Sequence, residues 1–435
     1  MNLWRLLLLG AGNWLGWHVR RVAHICRPLA NTGLVIERSV HAWCGHGSGW
    51  HKLNLVSGAA LGAAWVYHTL AARRGMPQIP DLNGADFAVA PGATLPRVSI
   101  IVPARNEAAM IGPAVRSLLA LDYPAYQLVV VDDRSDDATG AILEGLKAEF
   151  GERLTVVHVR ELPPGWLGKT YAMAQAAEIA TGDWLLFSDA DVVHAPGSLR
   201  RAVRYAEREQ AAHMVLLPTM QMESVGERMM ISFFQAMFIF AHRPWKVRDP
   251  KSKDAMGVGA FNLIRRGAYE KIGTYRSMRL SVVDDMRLAE KVKQAGLASR
   301  VAFGEGLVTV RWAVGTRGVM RNLTKNFFAH LRYNLAFALL AACGMLWLHL
   351  GPWLGTAFSS GWARAGYAVA LACLFGVYIA MGQRTKIAIG YVLLHPAATV
   401  LMACTLLRST VLTLARGGVV WRGTFYPLAQ LKKNW

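Results

Sequence analysis

Cysteine is scarce in this chain and badly placed for chemistry. Its five residues, Cys26, Cys44, Cys343, Cys373 and Cys404, include no C-x-x-C pair, and the last three fall in apolar runs. They predict neither a zinc site nor a disulfide framework. Acids are also short, 28 Asp and Glu against 48 Lys and Arg, which leaves a net charge of +20. The basic residues are spread along the chain with no zinc-finger or RNA-binding signature, so no nucleic acid partner is expected. A basic surface held against anionic lipid accounts for the charge. The G-x-G-x-x-G fingerprint of dinucleotide binding is missing too: Gly257-Val-Gly-Ala-Phe-Asn262 has another spacing and no strand-to-helix opening.

Apolar residues are what the chain has in excess, at 53% of the total. Leu53 to Ala72 holds no acid and one ionisable residue, His68, and can span a hydrocarbon core of about 30 Å. Leu335 to Trp353, Ala363 to Met381 and Ile387 to Leu407 are further candidates. This composition predicts an integral membrane protein, in the inner or plasma membrane if the source is bacterial. The expected organisation is an N-terminal segment 1–52, a transmembrane helix 53–72, a linker 73–96, a globular domain 97–333, membrane helices over 334–415 and a basic tail 416–435. Segment 1–52 is rich in Trp, His, Gly and Arg; its run Leu6 to Leu9 is followed by no clean cleavage site, and no function is assigned to it. Arg73-Arg74 and the basic domain after them predict a cytoplasmic face for residues 97–333. A parity problem follows. A third distal span over 387–407 would carry Arg408, Arg416, Arg422, Lys432 and Lys433 to the far side, so that segment is either a span or a re-entrant or interfacial piece.

From Arg97 short apolar runs alternate with helical segments, the pattern of a largely parallel α/β sheet. Strands are expected over 98–102, 127–131, 154–159, 184–187 and 214–217, and helices over 108–121, up to about 150, 170–180 and 196–209. Gly226 to Ala241 is apolar but only 16 residues long. That is short for a span, and the segment reads equally as an interfacial helix lining a lipid groove or as a buried core helix. Trp184 to Phe187 is a buried strand, and Ser188-Asp-Ala-Asp191 emerges at its carboxyl end. Ligands bind there in open α/β sheets, and two acids can share one hard divalent cation.

Six landmarks occur in order: Val98-Ser-Ile-Ile-Val-Pro-Ala-Arg-Asn-Glu107, Val130-Val-Asp-Asp-Arg-Ser-Asp136, Gly168-Lys169, Ser188-Asp-Ala-Asp191, Gly257 to Asn262, and Val283-Asp-Asp-Met-Arg-Leu288. Together they resemble the family 2 glycosyltransferases, and most closely the membrane-bound branch that glycosylates lipids: ceramide glucosyltransferase-like, hopanoid-associated and carotenoid enzymes. The likeness covers about residues 97–333. Gly417-Gly-Val-Val-Trp-Arg-Gly-Thr-Phe-Tyr426 is also similar to a tail motif of that branch, where a second Arg is common and this chain has Thr424. The resemblance implies a nucleotide-sugar-binding α/β domain of glycosyltransferase type A, a Rossmann-like mixed sheet, flanked by transmembrane helices.

It also implies roles. Pro103, Arg105 and Glu107, at the end of strand one, would meet the nucleobase; Asp133 would contact the uridine and Lys169 the diphosphate. Asp189 and Asp191 would bind Mg²⁺ or Mn²⁺ and with it the donor, Asp191 being the surer ligand. Asp285 stands where the family has the Asp of Glu-Asp-x-x-Leu, and is the candidate general base that takes the acceptor's hydroxyl proton. Gly257 to Asn262 would form a backbone wall near the sugar. The Gln-x-x-Arg-Trp of processive polysaccharide synthases is missing, and Arg311-Trp312 and Arg317 to Arg321 do not reproduce it. The expected activity is inverting transfer of a hexose from a nucleotide sugar, with UDP as the expected carrier, to a membrane lipid. Two rivals stand beside it: transfer to a polyprenyl phosphate or polysaccharide, and an inactive membrane scaffold or lipid-binding relative.

Overall fold

A computed structural model describes residues 48–88, 94–385 and 387–433. Most of the N-terminal segment 1–52, including Cys26 and Cys44, lies outside the described residues, as do Pro91 and Gly92 of the linker. The α/β domain is built on strands β1 (Val98–Ala104), β2 (Tyr126–Asp133), β3 (Leu154–Val159), β4 (Trp184–Phe187), β5 (Val192–His194), β6 (His213–Leu216), β7 (Thr219–Met220), β8 (Asn262–Arg265), β9 (Ser299–Ala302) and β10 (Val308–Val310). Seven of them form one sheet in the order β3-β2-β1-β4-β8-β6-β9, while β5, β10 and β7 make a small second sheet.

Alternation along β1 explains why this sheet is buried on both faces. Val98, Ile100 and Val102 pack against helices Ile111–Leu119, Thr139–Phe150 and Ser198–Arg208. Ile101 points the other way, with Val129 and Leu185, toward helices Gly168–Ile179 and Asp284–Gln294. A strand covered on two sides reads as a continuous apolar run, which is why these strands were legible. The sheet is mixed: β1, β2, β3 and β4 are parallel, and β8 runs antiparallel to both β4 and β6. β2 also runs two residues past its expected end, because Asp132 and Asp133 still pair with His158 and Val159 of β3. Pro103 is tolerated inside β1 because β4 pairs with that strand only as far as Ile101.

Four helices are long and apolar enough to cross a membrane: Gly49–Gln78, Leu335–Phe358, Gly361–Thr385 and Ile389–Arg416. The first and third pack backbone to backbone. A Cβ on Gly366 would lie 2.4 Å from the Gly58 carbonyl oxygen, a contact only glycine permits. A 3₁₀ turn, Ile389–Leu394, leads without reversal into helix His395–Arg416. That helix is amphipathic in the inverted sense, with His395, Thr399, Thr405, Ser409, Thr410 and Thr413 buried while Val400, Leu407, Val411 and Leu414 are exposed. Its hydroxyls are satisfied locally, as where Thr399 and Thr410 donate to the carbonyls four residues back.

After it come β11 (Gly418–Trp421) and β12 (Thr424–Pro427), an antiparallel hairpin. The hairpin returns to the α/β domain, where Val419 and Tyr426 pack with Leu167, Leu280, Val282 and Phe328.

Candidate active site

The carboxyl ends of β1, β2 and β4 converge, and their loops are latched together. Asn106 and Arg134, the turn residues after β1 and β2, both adopt left-handed backbone, φ 55° each. Asn106 Oδ1 accepts from Asp136 N–H at 2.8 Å, and Glu107 N–H donates to Thr139 Oγ1 at 2.8 Å. Asp133, buried at 4% exposure, faces Arg134 Nε at 2.8 Å and Arg105 Nη1 at 3.9 Å. Arg105 Nε is buried without a hydrogen-bond partner, so this corner still has a donor to offer. Asp132 points to the opposite face and meets His158 instead. Pro103 presents no polar side chain and serves the strand. Glu107 pairs with Arg422 of the terminal hairpin.

Beyond β4 the acids gather around one lysine. Lys169, in the first turn of helix Gly168–Ile179, places Nζ 2.7 Å from Asp189 Oδ1 and 3.3 Å from Asp284 Oδ1. Its charge is therefore shared between two carboxylates. Asp284 and Asp285 begin helix Asp284–Gln294, where the free N–H groups favour acids. Asp285 Oδ1 accepts from Met286 N–H at 2.8 Å, and its side chain lines the same pocket as Lys169, Ser188, Asp189 and Asn262. The segment 257–259 forms the pocket's backbone wall. A Cβ on Gly259 would come within 2.3 Å of Asp189 Oδ2, and one on Gly257 within 1.9 Å of the Asp285 carbonyl oxygen.

The electrostatics divide these acids. Burial pushes Asp189 up, but Lys169 outweighs it and holds this carboxyl below the usual range. Burial, Asp189 and Glu107 together push Asp191 up to about 7. Asp284 stands at about 6, where burial outweighs Lys169, and burial likewise raises Asp285. A carboxyl pushed up by two neighbouring acids is one that a hard cation would return to its ionised form, so Asp191 with Asp189 fits a divalent ion. Among the described residues no cluster of three or more His, Cys, Asp or Glu side chains is set to hold a metal. The fit is therefore to an ion such as Mg²⁺, which takes one or two carboxylates and completes its shell with water and substrate phosphate.

Residues 99–273 match the family model "Glycosyl transferase family 2". They form a family 2 glycosyltransferase domain. The chain is similar to 4,4'-diaponeurosporenoate glycosyltransferase of Staphylococcus haemolyticus, 21% identical over 54% of this chain and 62% of that protein. It is also similar to beta-monoglucosyldiacylglycerol synthase of Synechocystis, 34% identical over 34% of this chain and 30% of that one. The matched segments thus span less than two thirds of these relatives. In fold the chain is similar to the mannosyltransferase PcManGT from Pyrobaculum calidifontis, solved with GDP-Man and Mn²⁺. The TM-score is 0.51 and the identity 21%, covering 84% of this chain and 98% of that one.

Besides Asp284 and Asp285, three further side chains outside the matched segment border the glycosyltransferase pocket, and none of the three was given a role from the sequence. Lys325, on helix Gly315–His330, bears on Asp189, Asp284 and Asp285; burial and Lys169 pull its pKa down to about 8. Arg422 reaches Glu107, and Tyr426 Oη accepts from Gly168 N–H at 3.3 Å. No spacing marks Lys325. For the other two a signal existed: Arg422-Gly423 between apolar alternations is a hairpin turn, and the tail motif contains both residues.

Proposed function

We propose that the protein is a cytosol-facing, inverting glycosyltransferase that moves a hexose from a nucleoside diphosphate sugar, uridine being the expected nucleoside, to a hydroxyl of a membrane lipid. The observation that carries this reading is Lys169 drawing Asp189 and Asp284 into one pocket with Asp285, at the carboxyl ends of the strands. Asp133 and Arg105 hold the nucleobase end, with Asp133 as acceptor and the free Arg105 Nε as donor. Asp189 and Asp191 would hold Mg²⁺ or Mn²⁺, which when bound stabilises the departing diphosphate. Lys169 fixes the geometry of Asp189 and Asp284 by pairing with both. Asp285, raised by burial yet held in a polar pocket, takes the acceptor's proton as the hydroxyl attacks the anomeric carbon from the face opposite the leaving group. The apolar helices bring a lipid hydroxyl to that carboxylate, and the names of the two relatives support an acceptor held in the membrane.

The test is transfer and binding by the purified protein in detergent or nanodiscs. Asp191→Ala should weaken divalent-dependent UDP binding by about tenfold or more, the value of one charged contact. Asp285→Asn should keep UDP binding and lower turnover by about a hundredfold to ten-thousandfold, the usual worth of a general base. Binding that ignores both the metal and Asp191 would favour the inactive scaffold. A labelled product that stays in water or grows to high mass would sink single transfer to a lipid.

A further inference from the structure

The terminal hairpin sits where a membrane protein's tail has no structural need to be. A two-stranded hairpin is marginal by itself, and this one is held by packing Val419 and Tyr426 onto Leu167, the residue before Gly168-Lys169. Its two-residue turn is Arg422-Gly423, with φ 46° and 79°. Positive φ at both positions is the type I′ geometry that favours Asn-Gly, and an arginine there carries a left-handed backbone that L side chains rarely adopt. A residue kept against its backbone preference calls for a side-chain reason.

The guanidinium supplies one. Arg422 pairs with Glu107, the acid on the β1 exit that bears on Asp191, and its charge also bears on Asp189. The neighbouring hairpin residues act on the same corner. Trp421 places its ring 4.6 Å from Lys325 Nζ, and the Tyr426 hydroxyl lies against both Gly168 N–H and the Arg134 guanidinium. The hairpin therefore delivers one cation, positions a second and packs on the start of the helix carrying Lys169.

We propose that the hairpin Gly418–Pro427 is the missing wall of the donor site. On this proposal, which rests on the function given above, Arg422 exchanges Glu107 for a phosphate oxygen of a nucleoside diphosphate when the donor enters. The exchange is chemically matched, since the planar guanidinium fork accepts a carboxylate or a phosphate in the same geometry. It also meets a charge need: Lys169 is already paired with Asp189 and Asp284, so a diphosphate beside three acids requires cations from elsewhere.

The test separates charge from backbone. Arg422→Asn installs the residue the turn prefers, so the thermal midpoint of the full chain in detergent should hold or rise. Its affinity for UDP with Mg²⁺, by titration calorimetry, should fall about tenfold to a hundredfold, and Arg422→Lys should recover part of that loss. A merely structural hairpin predicts the reverse, unchanged affinity with an altered midpoint. Affinity within twofold of wild type in Arg422→Asn, while Asp191→Ala still weakens binding, overturns the hairpin's role and leaves the enzyme reading standing. No binding of UDP or GDP by the wild-type chain overturns both.

Discussion

His158 shows how a single side chain ties β3 to both β2 and helix Thr139–Phe150. Its Nδ1 lies 3.0 Å from Asp132 Oδ2 and its Nε2 2.8 Å from Glu144 Oε1, so a protonated ring donates to two carboxylates at once. The Glu144 contact raises its pKa, against partial burial, with Asp132 adding to the rise. A group whose folded pKa is raised gives stability that is complete below its unfolded value, about 6.5, and is lost as pH climbs through the folded value. The wild-type melting temperature should therefore fall relative to that of His158→Gln between about pH 6 and pH 8.5. Parallel melting curves across that window would refute it. The same pair shows the limit of sequence at this scale. Asp132 and Asp133 look interchangeable in the chain, but β2 runs through both and sends them to opposite faces, so only Asp133 meets Arg105. A fixed order of motifs drew attention to Asp191 and Asp285, and the tail motif contains Arg422, but no spacing marks Lys325, which helix Gly315–His330 brings in from far along the chain.

Among the elements, helix Val225–His242 depends on one buried acid. Ser224 caps it, accepting from Glu227 N–H at 3.2 Å. The Glu227 carboxylate accepts from the N–H groups of Glu223 and Gly315, at 2.7 Å each, and from Arg311. Burial opposes its ionisation, yet these donors outweigh it, led by Gly315, and leave Glu227 at about 2. Its stabilisation should be present above the unfolded value of about 4.3 and be lost only as pH falls toward 2. Glu227→Ala leaves the Glu223 and Gly315 N–H groups without their acceptor while Arg311 keeps Glu223, and should destabilise the fold by about 1–3 kcal/mol. A chemical-denaturation shift below about 1 kcal/mol would show that water replaces the carboxylate. The apolar length of this segment was readable from the sequence; the capping box at Ser224 and Glu227 that starts it was not singled out there. Which face it buries was not readable either. Met230, Ile231 and Phe233 pack with Val319, Leu323 and Met402, partners that only the fold brings near.

At the scale of the whole molecule, the ends of the apolar helices decide how the chain can sit in a bilayer. Gly75 packs against the Trp245 indole, and Arg384 stacks over the Phe303 ring at 4.6 Å, so the first and third helices both finish at the α/β domain. Helix Leu335–Phe358 departs from that domain, leaving the turn around Ser360 on the far side. The fourth helix starts four residues after Thr385 and ends in the hairpin docked on Gly168, which places both of its termini on the domain side. A helix whose two ends lie on one side does not cross. Its window is also 44% buried against 22%, 22% and 28% for the others, as expected of a helix laid along protein with its Val400–Leu414 face toward lipid. Three crossings and one surface helix would keep the basic tail beside the basic domain and would remove the parity conflict that hydropathy alone creates. Hydropathy reports how apolar a segment is but not where its neighbours hold its ends. In a cysteine-free background, Gly390→Cys and Lys432→Cys should react with an impermeant maleimide from the face that exposes the α/β domain, and Ser360→Cys only from the other. Labelling of Lys432→Cys together with Ser360→Cys would mean that the fourth helix crosses, and the hairpin could then not reach Glu107.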